Sequence, residues 1–170
     1  MRSGETLAVL SSVLTLLGTY FFALFGTVGS VASGFGFIGN LGSILSNAQT
    51  TVNDLNANLI SYYLVVIYLI ILLFSGFFLL IGIKTRFLMF FLCWLPISLG
   101  AIILILISSD ISGNAIILYT IFLEADQIGD LFPFLIPIGD VALGTYLLLA
   151  GGGLGFISVF IPRRKKRKHK

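Results

Sequence analysis

Long apolar stretches alternate with short polar ones along the chain, and the apolar stretches have membrane-crossing length. A helix rises 1.5 Å per residue, so about 20 apolar residues traverse a hydrocarbon core of ~30 Å. Four stretches qualify: 6–28, 55–83, 87–109 and 141–161. They predict an all-α integral membrane fold, with four transmembrane helices in an up-down bundle over 1–162 and a basic tail over 163–170. Two longer segments, 29–54 and 110–140, join the spans on one side. Within the second, the run 111–123 is apolar but too short to cross, and Glu124, Asp126 and Asp130 follow it. That pattern predicts a helix or turn lying at the interface or on the protein itself.

Finer periodicity adds local detail. Leu45, Ala48, Val52, Leu55, Leu59 and Tyr62 recur in steps of three and four, with Asn47, Gln49, Thr50, Thr51, Asn53, Asn56 and Asn58 on the other faces. This predicts an amphipathic helix running into the second span and extending it beyond the membrane. Its apolar stripe would pack on the glycine-punctuated stretch before it or dock a partner helix. Pro133 and Pro137 disfavour regular helix in 110–140. Asp140 directly precedes the fourth span and suits a helix N-cap.

In lipid, the hydrophobic effect gives apolar helices no reason to associate, so close backbone packing at small residues must supply it. Gly144, Gly151, Gly155 and Ser158 fall near one face of the fourth span, with Gly151 and Gly155 in GxxxG spacing. Gly18 and Gly26 continue a similar line in the first span, after Ser11 and Thr15. These two faces are expected to meet inside the bundle. Pro96 removes a backbone donor from the third span and predicts a kink there.

Composition agrees with the pattern. Hydrophobic residues make up 58% of the 170 residues and charged ones 10%, against about 25% charged in a soluble domain. Charge placement then sets orientation. All ten basic residues lie at Arg2, in the turn with Lys84 and Arg86, or in the tail, whereas six of the seven acids fall in the other loops. Cytoplasmic loops collect Lys and Arg, so both termini are predicted to be cytoplasmic, with the cell membrane as the expected location. The first span also has the outline of a signal peptide, with Arg2 ahead of it and Ser30, Val31 and Ala32 after it. Its apolar run is longer than the usual 7–15 residues and Glu5 sits beside Arg2, which favours a retained span.

Several chemistries lack their parts. Cys93 is the only cysteine and His169, in the tail, the only histidine, which argues against paired-thiol redox chemistry and histidine-based metal sites, and no cofactor is expected. No ionisable residue lies deep in a span, which weighs against proton-coupled transport. The tail residues Arg163, Arg164, Lys165, Lys166, Arg167, Lys168 and Lys170 suit anionic lipid headgroups, at ~1 kcal/mol each near the surface. Without aromatics to stack on bases, the tail does not point to nucleic acid.

The layout resembles that of claudin-like and tetraspanin proteins in topology only; their tryptophan, cysteine-pair and CCG motifs are absent, and no family is assigned. The expected function is that of a non-enzymatic accessory or assembly subunit, acting through helix packing and its outer segments. Its partners would be other membrane subunits or further copies of itself. The alternative is a small oligomeric pore or carrier for neutral or apolar solutes. A pore requires a polar path along residues such as Ser75, Ser98, Thr145 and Ser158, whereas a packing subunit is filled along its axis.

Overall fold

The computed structural model describes residues 3–83, 85–108, 114–129 and 131–161. Lys84, Asp110, Asp130 and the tail residues from Arg163 to Lys170 lie outside them. The described residues are mostly helical (73%), with three to four helices apolar enough to span a membrane. Nine helices and five short strands are described: α1 (Ser3–Leu16), β1 (Phe25–Thr27), β2 (Ser30–Ala32), α2 (Gly34–Ser46), α3 (Ala48–Asp54), α4 (Leu59–Leu73), α5 (Ser75–Gly82), α6 (Arg86–Leu92), α7 (Trp94–Ser108), α8 (Asn114–Leu123), β3 (Glu124–Asp126), β4 (Pro137–Ile138), β5 (Val141–Ala142) and α9 (Leu143–Phe160). A π-helical turn, Leu17–Phe21, prolongs α1.

Three segments are long and apolar enough to cross alone: Ser3–Phe21, Arg86–Ile107 and Leu143–Phe160. The first and fourth are shorter than the apolar runs predict, because hydropathy cannot separate apolar helix from apolar strand. The chain leaves helix at Phe21 and re-enters it at Leu143, and the residues between pair as β structure. The third matches its prediction. It is interrupted at Cys93, three residues before Pro96, as expected where the proline ring displaces the carbonyl of Leu92 and leaves it without its usual donor.

The second span differs most. Helix α3 turns by 119° into α4, so the amphipathic stripe does not continue as one rod. Asn56, at φ 48°, makes the corner, and the Asn58 side chain accepts from Ile60 N at 2.8 Å to start α4. The stripe is nevertheless buried at Ala48, Val52 and Tyr62. The period holds on both sides of the break, but the residues from Leu55 to Asn58 interrupt the helix and leave its apolar face folded onto the protein.

Helix α1 packs between α9 and α5, α9 packs on α6 and α7, and α5 packs on α6. Neighbours run antiparallel. Gly4 faces Ile161 while Gly18 faces Gly144, and Ser12 bonds to Gly76 O while Tyr20 bonds to Leu73 O. Ser3, Arg86 and the end of α9 therefore share one end of the molecule, where Arg86 donates to Ile161 O at 3.1 Å. The opposite end carries the strands together with α2 and α8.

At that opposite end β1, β2 and β3 form an antiparallel sheet in that order, and β4 and β5 form a hairpin. Helix α2 lies beside β3 and α8. Ser33 starts it by accepting from Gly36 N at 3.2 Å; such a cap contributes about 1 kcal/mol. The glycines at 34–42 thus sit in a helix instead of a loop. A methyl at Gly36 would collide with Leu123 O, so glycine is what lets α2 lie against the end of α8.

Candidate functional site

The residues predicted to pack helices are largely brought together along α9. A methyl built on Gly18 would come 2.7 Å from Gly144 O, and one on Gly144 would collide with Ala23 O. On Gly151 it would meet Thr15 Oγ1 at 2.6 Å, and on Gly155 it would meet Ser11 Oγ at 2.7 Å. Those distances are well inside ordinary contact of ~3.5–4.0 Å between carbons. Ser158 is buried, and its hydroxyl returns to Gly155 O at 2.7 Å. Gly26 does not join them. It lies in β1 at φ 131°, and its close neighbours are Ser30 and Val31 of the hairpin.

Other small residues complete the interface. Ser11 donates to Gly151 O at 2.6 Å across α1 and α9, and Thr15 and Thr19 donate back to carbonyls four residues earlier in α1. Gly152 admits Ile97 and the Cys93 carbonyl, Gly100 admits Leu149, and Gly76 admits Leu16. Each glycine lets a backbone or side chain approach where any Cβ would hold it off. The hydroxyls of Ser11, Ser12, Thr15 and Thr19 bond to carbonyls, whereas Ser75 Oγ is buried without a hydrogen-bond partner among the described residues.

The helix ends away from Arg86 are tied by backbone pairs. Ala23 N donates to Phe134 O and Phe134 N to Phe21 O, at 3.0 and 2.9 Å. Ala142 N donates to Leu24 O and Gly144 N to Ala23 O, both at 2.9 Å, and Thr145 Oγ1 adds a bond to Leu24 O at 2.6 Å. The strand-like segment after α1 is thus clamped between the loop of Phe134 and the start of α9. Gln127 is the second clamp. Its backbone N donates to Gly29 O, its Oε1 accepts from Gly29 N, and its Nε2 donates to Pro133 O at 2.9 Å. Sequence reading missed Gln127 because one glutamine in a polar loop carries no periodic or motif signal.

Asp140 is not a helix cap. It sits with Gly139, at φ 65°, in the turn of the β4–β5 hairpin, while the residue preceding α9 is Ala142, with no side-chain cap bond. Two intervening strand residues move the carboxylate away from the helix start. Thr145, one turn inside, spends its hydroxyl on Leu24 O instead.

Aromatic clusters mark both ends of the helical body. Tyr20, Phe35, Phe132 and Phe134 join through ring contacts of 5.4–5.9 Å near the end that carries the strands. Phe90, Trp94, Phe156 and Phe160 join through contacts of 5.2–6.1 Å near the other. Among the described residues no three His, Cys, Asp or Glu side chains group so that they could hold a metal ion. No protein-family model, curated protein or solved structure matches the chain.

Proposed function

We propose that the chain is a four-span, non-enzymatic subunit of the cell membrane, working by holding its helices and closed outer end against other membrane subunits or a further copy of itself. The second crossing on this reading is α4 and α5 together, Leu59–Gly82, interrupted at Phe74. Its length supports that reading, since about 24 residues at 1.5 Å rise give ~36 Å. The up-down order is supported by the antiparallel contacts and by Ser3, Arg86 and Ile161 sharing one end. That end is cytoplasmic on the charge rule, with the basic tail against anionic headgroups. The two aromatic clusters suit the two membrane interfaces.

One observation carries the choice between packing and passage. Ser75, Thr145 and Ser158, which a pore would turn towards water, are fully buried. Thr145 and Ser158 bond to carbonyls, and Ser98 pairs with Tyr68. A void beneath Thr19, Leu24 and Phe37 measures only about 10 Å³, room for a single water at most. An apolar face remains to spare: Ile60, Leu64, Ile67, Ile71, Phe74, Phe78 and Ile81 are exposed along α4 and α5 in alternating steps of four and three. The stripe is one continuous apolar face that lipid tails or a partner helix can cover. Liposomes reconstituted with the chain should pass glycerol or urea no faster than protein-free liposomes. A protein-dependent flux would favour the pore instead.

A further inference from the structure

Where α7 ends, a cleft of about 230 Å³ opens between that helix, α8 and the two hairpins. Among the described residues its wall is apolar, formed by Phe25, Ile103, Leu106 and Ile107, and its polar groups are Thr27, Tyr119, Thr120 and Asp140. We propose that this cleft binds a phospholipid whose headgroup carries an ammonium, with Asp140 facing the ammonium, the Thr27, Tyr119 and Thr120 hydroxyls facing the phosphate, and the apolar wall taking the upper acyl chain.

Charge decides the class of headgroup. No lysine or arginine occurs anywhere in 3–83 or 87–162, so Asp140 has no basic side chain on its own side of the protein to neutralise it. Any cation it meets must come from outside the chain. An anionic headgroup would instead add charge beside Asp140, which has no base to oppose it. The hydroxyls make the phosphate ester tolerable without a base. Tyr119 is suited to this because burial, and then the neighbouring Tyr68, push its phenol up to about 12, so it stays a neutral donor.

The place of the cleft in the outer leaflet rests on the four-span reading, whereas its headgroup preference does not. Lipid ranking in detergent therefore tests the cleft alone. Native mass spectrometry of the full chain in a neutral maltoside detergent, with phosphatidylethanolamine or phosphatidylglycerol added separately, should show the ethanolamine lipid adduct at tenfold lower concentration or less. Asp140→Asn should erase that gap, and Ile107→Trp, which fills the cleft, should remove the preferred adduct. Phosphoethanolamine without chains should not bind at the same concentrations. Equal or stronger binding of phosphatidylglycerol to the unaltered chain would overturn the proposal, as would an unchanged preference in Asp140→Asn. Equal binding of the chain-free headgroup would overturn the lipid as its source.

Discussion

The contact between α1 and α9 can be measured with two alanines placed two residues apart. Gly151 and Gly153 both lie inside α9, so replacing either by alanine gains the same helix propensity, up to ~1 kcal/mol. They differ in what the methyl meets. At Gly151 it would stand 2.6 Å from Thr15 Oγ1 and 3.0 Å from both Ser11 O and Thr15 N, whereas at Gly153 nothing lies within 4 Å. Thr15 Oγ1 is held by its bond to Ser11 O, and the other two atoms are backbone, so the helices themselves must move apart. That movement also stretches the bond from Ser11 to Gly151 O. Propensity cancels between the variants, which leaves an overpacking cost of ~1–3 kcal/mol. For a chain of this size each kcal/mol shifts Tm by ~2–4 °C. Thermal unfolding of both variants in one maltoside detergent should place Gly151→Ala about 2–12 °C below Gly153→Ala. Coincident melting curves would mean that this face of α9 looks at lipid and that the close packing is wrong.

Three further outcomes follow from the same structure. Asp140→Ala should change stability by less than ~0.5 kcal/mol because the residue is exposed in a hairpin turn, while Asn58→Ala should cost about 1 kcal/mol by uncapping α4; urea or thermal unfolding separates them, and the reverse order would restore Asp140 as a cap. In a Cys93→Ser background, cysteines at Asn47 and Gln49 should react with impermeant maleimide on intact cells and one at Lys170 only after permeabilisation; external labelling at Lys170 would reverse the topology. Because Tyr119 stays protonated to about 12 in the fold but titrates near 10 when unfolded, its contribution is complete below pH ~10 and is lost between ~10 and ~12, by up to about 2–3 kcal/mol. Tyr119→Phe should remove that part of the alkaline decline, and an unchanged pH profile would contradict the shift.

Legibility in the sequence followed the physics of each signal. Spans were readable because the bilayer demands a fixed apolar length, and Arg86–Ile107 came within two residues of its predicted bounds. Small residues were readable for the same reason: in lipid only a Gly or Ser stripe brings backbones together, and Gly18, Gly144, Gly151 and Gly155 all meet a neighbour. The outer end was not readable. Its strands are two or three residues long, too short for a period of two to register, and their apolar residues merge with the spans, which misplaced Gly26 and Asp140. Glycine misled in α2, where Gly34 and Gly36 serve close contact with Thr19 and Leu123 instead of chain reversal. The corner at Asn56 depended on a backbone conformation that hydropathy does not encode.

Native mass in nanodiscs, measured on protein purified from its own membrane, tests the central claim most directly. A subunit that works by packing should appear above 18.4 kDa, at a whole multiple of that mass or with the added mass of a companion membrane protein. A single species at 18.4 kDa, apart from bound lipid, would contradict the account.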